Sequence, residues 1–354
     1  MSNITLEEME LEALGQCCDG VDDNDIGDTD EDSIDESQIM EDSDSATSDI
    51  NTAESMSMIL AMKMSMEAAY DPGELVMVDG KAHIVFKNKK EEGTLAKIKN
   101  FVLEIISRIY SAILSFMNFV KGIFRKILNI GKPKTPPTFV QKHKKKIIAG
   151  LVATIGVGAA AVVVDGHLRG KNYDKVMNGG NSIRFDEAES FFHKASKSLN
   201  DLQREFEILS KSDNPSEEKL KELLGLIAFM EQAKAKYRAD MDVHAKNWKG
   251  EMDKGFDGLI DTVLHFDYKG SFNRISRLIT EAKQGNSYAK TVKECNNEAL
   301  LNISSKIAKL KSAITSDLMK ACKDNIKYVT QLVSFGKKLD KVADDIGKGE
   351  GENV

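Results

Sequence analysis

Residues 147–164, IIAGLVATIGVGAAAVVV, make an uncharged run that is entered directly from Lys142, His143, Lys144, Lys145 and Lys146. A helix of that length covers about 27 Å, close to the hydrocarbon thickness of a bilayer. Such a run can span a membrane or lie wholly inside a protein core. Its glycines lower helix propensity in water, and this favours the membrane. Gly150, Thr154 and Gly158 fall four apart and share one helix face, with Ala149 and Ala153 beside them. Small residues at that spacing allow backbone-to-backbone approach, so the run is expected to self-associate. The lysine-rich side is expected to face cytoplasm.

Charge divides the chain unevenly around this run. The net charge is −7, but residues 1–67 hold one base and 20 acids and residues 68–354 hold 48 bases and 36 acids. The two parts therefore carry −19 and +12, which points to a tail and a body with different partners. The region 81–146 contains 16 bases against three acids, including Arg125, Lys126, Lys142, Lys144, Lys145 and Lys146. That density suits an anionic membrane surface or the phosphates of DNA. Aromatic residues are sparse within it, so base stacking is not indicated.

In chain order, residues 1–67 read as an acidic, Ser-rich leader too poor in apolar surface to fold, apart from a short amphipathic helix over 1–14. Met56, Met58, Met62, Met64 and Met66 read as a short helix or contact strip, with copper(I) binding by thioethers as the alternative. Two β-rich runs flank Asp79-Gly80, which predicts a hairpin within 68–90. Over 94–131 the apolar residues Ile98, Val102, Ile105, Ile109, Ile113, Phe116, Val120, Ile123 and Ile127 keep three- and four-residue steps. This predicts a basic amphipathic helix that lies on a membrane or packs on a partner helix. Residues 132–146 read as a Pro/Lys linker and 147–164 as the membrane helix.

Residues 182–346 read as a helical bundle with coiled-coil-like stripes. Phe192, Ala195, Leu199, Leu202, Phe206 and Leu209 mark one helix, and Asn214-Pro215-Ser216 starts a second that returns antiparallel. Gly255, Gly258 and Gly270 are expected to loosen the next section. A shorter helix over Phe272–Lys283 and a break at Asn286-Ser287 are expected next, then two helices, one through Leu300–Leu318 spacing and one from Ile326 to Val342, before a disordered tail at 347–354. The fold class is mainly α, with a disordered acidic tail, a small β-hairpin, an amphipathic helix, an apolar membrane-type helix and a C-terminal bundle.

Chemistry-bearing motifs are missing. His83, His143, His167, His193, His244 and His265 form no HxxxH pair, and no CxxC occurs. The acidic run 22–32 fails as a calcium loop because Ile26 takes a ligand position and Ser33 the terminal Glu position. Neither a phosphate-binding GxxxxGK[ST] nor a GxSxG is present. No catalytic, cofactor-binding or metal-binding residue is nominated, and an enzyme is not expected. Cys17, Cys18, Cys295 and Cys322 are expected to be free thiols in a reducing compartment. The N-terminal residues carry no secretory signal pattern.

The acidic leader, the triplet Ser65-Met66-Glu67 and the basic remainder together resemble an internal head protein of large tailed bacteriophages. The resemblance implies a capsid-targeting propeptide, cleavage after Glu67 at a small-x-Glu pattern, and packing inside the head beside DNA. Capsid or scaffold proteins are the implied partners, and ejection into the host with the genome is the implied fate. Ser216-Glu217-Glu218 fits the same pattern but falls at an expected helix start. A host-membrane location is the alternative to the virion interior. Two rival functions stay open, a membrane-anchored helical protein that remodels or permeabilises a bilayer, and a DNA-compacting protein masked by its acidic tail.

Overall fold

A computed structural model describes residues 36–67, 73–78, 81–86, 93–130, 133–155, 182–212, 215–247, 255–284 and 287–351. In chain order the elements are α1 (Glu36–Ala46), α2 (Ser48–Glu67), β1 (Gly73–Val78), β2 (Lys81–Phe86), α3 (Gly93–Ile130), α4 (Pro137–Ile155), α5 (Ser182–Ser210), α6 (Glu217–Asn247), α7 (Gly255–His265), α8 (Tyr268–Lys283), α9 (Ser287–Glu294) and α10 (Glu298–Gly351). The protein is mostly helical.

The 54-residue α10 is the axis. At 1.5 Å per residue it is about 80 Å long. The stretch expected as two helices is continuous, because the residues between Leu318 and Ile326 include neither Pro nor Gly and bury Met319, Cys322 and Asn325. The helix also continues to Gly351, through residues expected as a disordered tail. Apolar residues occur on every side of it. Ile307, Leu310, Ile314, Leu318, Ile326, Leu332, Leu339 and Val342 are all buried, as expected of a helix surrounded by others. Helices α1 to α8 pack against it, and α9 packs against α3 and α5.

Polar groups inside this core are answered locally. Ser304, Ser305 and Thr330 return their hydroxyls to the carbonyls of Leu301, Asn302 and Ile326 at 2.7, 2.7 and 2.9 Å. Tyr288 on α9 donates to the Ser304 carbonyl at 3.0 Å, and Ser271 on α8 donates to Asn325 at 2.9 Å. The Gln203 amide, the Ser312 hydroxyl, the Tyr268 hydroxyl and the Gln331 amide oxygen are buried with no hydrogen-bond partner among the described residues.

Helix α3 matches the amphipathic stretch expected over 94–131. Ala96–Asn129 is long and apolar enough to cross a bilayer by length and composition. In this fold its apolar stripe is instead covered by the chain itself. Val102, Ile105, Ile109, Ile113 and Phe116 are each at most 1% exposed, beneath α1, α2, α8, α9 and α10. The partner helix is thus intramolecular, and the C-terminal bundle expected over 182–346 shares one core with α1 to α4.

The leader corrects in the same direction. From Glu36 it is helical, and α2 buries Ile50, Ala53, Met56 and Leu60 against α3 and α10. Steps of three, three and four make one stripe, which is enough to fold an acid-rich helix once a partner supplies the opposite wall. The Met-rich strip is therefore part of a helix, with Met56 buried and Met58 exposed. Residues 1–35, including the helix expected over 1–14, lie outside the described residues.

Other local expectations hold. Strands β1 and β2 pair antiparallel, with Val78 opposite Lys81, so a two-residue loop closes the hairpin. Ser216 accepts from the Lys219 amide at 3.3 Å at the start of α6, and α6 packs on α5. Gly258 and Gly270 lie within α7 and α8, and Gly255 opens α7. They do not loosen the section, since Asp267 caps α8 by accepting from the Gly270 amide at 2.9 Å.

Candidate functional site

The residues nominated from sequence lie in three places, on α4, near the end of α3 and at the end of α2. Helix α4 begins at Pro137, a residue suited to a first helical turn, so Lys142 to Lys146 are helical and do not belong to a linker. The linker shrinks to a short turn fastened on α10. There Asp340 accepts from the backbone amides of Lys134 and Thr135, both at 2.9 Å, and from the Thr135 hydroxyl at 2.7 Å. Pro133 also meets Gly336, where an added β-carbon would lie 3.1 Å from the proline ring.

With its start fixed, α4 turns two different faces outward and inward. Val140, His143, Ile147 and Leu151 are buried, with the His143 ring centroid 4.4 Å from that of Phe139. Lys142, Lys145 and Lys146 are exposed, and Lys144 is half-buried at the flank. Burying one face forces the lysines onto the other, because residues three and four apart share a side. Lys142 and Lys146 stand about 6 Å apart along the helix axis.

In the surroundings bases outnumber acids by four to three. Lys134 in the turn and Lys337, Lys338 and Lys341 on α10 are exposed, and the neighbouring acids are Asp340, Asp344 and Asp345. Asp340 is already occupied by the turn. No acidic residue lies between Glu104 and Asp165 in the sequence. Arg125 and Lys126 are exposed near the end of α3. The arrangement is a rigid lysine row on a docked helix, which can meet several phosphates without ordering a loop first.

The small-residue face behaves differently from the expectation. A β-carbon on Gly150 would lie 2.5 Å from Cγ1 of Val342, so α4 and α10 approach closely at Gly150. Close packing is present, but between two helices of one chain. Thr154 lies in α4, its side chain outside the described residues, and Gly158 lies outside them altogether.

Ser65, Met66 and Glu67 form the last turn of α2. Cleavage needs extended chain, and a final helical turn opens at least cost. Glu217 of the second matching triplet opens α6 behind the Ser216 cap.

Acids of the leader meet bases of the body. Asp44 pairs with Lys323 on α10, and Asp49 lies 3.7 Å from Arg108 and accepts from the Ser111 hydroxyl at 2.8 Å. Glu54 acts electrostatically on Lys234 and Arg238 of α6. Burial and then Arg238 hold the Lys234 amine below its ordinary value, while the hydrogen bond from Arg238 to Asp317 raises the guanidinium. The sequence signal for this contact was the Ile50-Ala53-Met56-Leu60 spacing, which the acidic composition obscured.

Elsewhere the chemistry is structural. His193 lies 3.0 Å from Glu281 at the surface. Arg274 joins Glu189 and Asp186, tying α8 to α5. Cys295 and Cys322 are free and buried, and burial pushes the Cys322 thiol upward. Among the described residues no three His, Cys, Asp or Glu side chains gather as a metal site. No protein family, curated protein or solved structure matches the chain.

Proposed function

We propose that the protein is a non-enzymatic structural component of a large tailed bacteriophage, held inside the head, with the α4 lysine row seated on DNA phosphates. The observation that carries this reading is the outward row Lys142, Lys145 and Lys146 on a helix whose other face is docked on α10. Such a row binds phosphate by releasing counterions and reads no sequence. The acidic leader and the Ser65-Met66-Glu67 triplet support the virion part, and capsid or scaffold proteins are the proposed partners during assembly.

Cleavage after Glu67 belongs to this proposal with a changed consequence. The cut changes the net charge of the main chain from −7 to +12, but it also severs α1 and α2 from a core they help to form. Charge and packing then change together. The intact mass of the chain isolated from particles tests the cut, with a chain beginning at Ala68 expected. A packaged chain that retains residues 1–67 in one piece contradicts it.

A second reading rests on α3, whose length and apolarity suffice for a bilayer. In it the ejected protein opens and places α3 and the 147–164 run in the host membrane. Flotation separates the two readings. Retention on anionic vesicles that high salt reverses favours surface binding by lysines, whereas salt-resistant flotation favours insertion.

A further inference from the structure

The groove along α3 and α10 is lined by apolar side chains and edged with bases, and in this chain a single segment fills it. Helix α2 presents Ile50, Ala53, Met56 and Leu60 to that groove, all at most 8% exposed. Its acids are placed to match the edges. Asp49 meets Arg108 and Ser111 on α3, and Asp44, in α1, meets Lys323 on α10. Contact of α2 with the rest of the fold is confined largely to α1, α3 and α10. Between α2 and α3 the chain holds the paired strands β1 and β2.

From this geometry we infer that residues 36–67 are a detachable strap, and that the α3–α10 groove is a docking surface for a helix with an apolar stripe and acidic flanks. The occupant is the chain's own 36–67 segment. Apolar burial supplies its affinity, and the ion pairs fix its register. While tethered, the strap competes at an effective concentration on the order of millimolar. Once the tether is cut the same contact is bimolecular, so a cut does not expel the strap. It makes retention depend on concentration and leaves the −19 of residues 1–67 in place until dilution. The inference rests on the groove geometry and not on whether a phage protease cuts the chain.

The test uses full-length protein with a recognition sequence for a specific protease inserted between Glu67 and Ala68. After cutting at tens of micromolar, the two pieces are expected to co-elute in size exclusion and to separate on serial dilution. A synthetic 36–67 peptide should rebind the freed body with one-to-one stoichiometry. Asp49→Arg should weaken rebinding by roughly fivefold, and Arg108→Asp in the body should restore it. Ile50→Asp in the peptide should weaken it by at least about a hundredfold, since a charge would enter the apolar groove. The Asp49→Arg and Ile50→Asp changes are made in the peptide and leave the folding of the body untouched, so those two comparisons hold even if a substituted full-length chain misfolds.

Separation immediately on cutting, with no rebinding of the peptide, overturns the inference. So does a freed body that dimerises and excludes excess peptide, because the groove would then prefer a second copy. A packaged chain with residues 1–67 uncut sinks the cleavage reading alone and leaves the strap standing.

Discussion

Gly150 shows how little room one contact leaves. Any side chain there enters the space of Val342, so Gly150→Leu must push α4 off α10 or strain both helices. Overpacking of this kind costs about 1–3 kcal/mol. Thermal unfolding of that variant should fall accordingly, while Gly225→Ala on α6, where nothing lies within 4 Å, should not lower it. Lys311 makes a different residue-scale prediction. Its amine donates to the Gln284 carbonyl at 3.0 Å, at the end of α8, and burial lowers its pKa to about 8 although the side chain as a whole is only half-buried. In the unfolded chain a lysine titrates near 10.4. Between these values the unfolded state binds more protons, so stability rises with pH from about 8 to 10. Below 8 both states are protonated and the cost of burying the charge is constant. Relative to Lys311→Met, the native chain should gain stability over that window by denaturant titration. Above about pH 10 this difference should level off, while the absolute stability of both chains falls, because burial pushes Tyr268 up to about 12 and it keeps its proton there only when folded.

At the scale of elements, legibility followed the strength of the local signal. The period of α3, the pairing of β1 with β2 and the Pro215-Ser216 start of α6 are all set by near neighbours in sequence, and each is readable there. Helix α2 is legible only in its Met-rich second half, and its packing is not, because 20 acids among the first 67 residues suggest a chain unable to fold, whereas four apolar residues at 3-3-4 spacing suffice once α3 and α10 provide the wall. Continuity of α10 was hidden for a related reason. Between Leu318 and Ile326 the buried positions are held by Met319, Cys322 and Asn325, so the run of Leu, Ile and Val lapses there although the helix does not. The lysine row was legible as charge but not as a helix face, since only docking of His143, Ile147 and Leu151 decides which way it points. The burial of α3 can be tested directly. Phe116 is fully buried, so Phe116→Ala should cost about 3–5 kcal/mol in the soluble protein. A loss below about 1 kcal/mol would mean that the stripe is not covered as described.

At the scale of the whole molecule, α10 makes the N-terminal and C-terminal halves one core. A fragment of residues 182–354 therefore lacks the helices that cover one side of α10. It should be helical by circular dichroism yet bind hydrophobic dye and unfold without a sharp transition, while 34–354 unfolds cooperatively. The same core holds α4 still and aims its lysines outward, and the account turns on that. The direct measurement is the salt dependence of DNA binding by the full-length chain and by its Lys142→Gln/Lys145→Gln/Lys146→Gln variant, at matched helix content. Each phosphate contact contributes a slope of about −0.9 in log K against log salt, so loss of three should make the slope shallower by about 2–3. An unchanged slope and affinity in the variant would contradict the assignment of this face to polyanion binding.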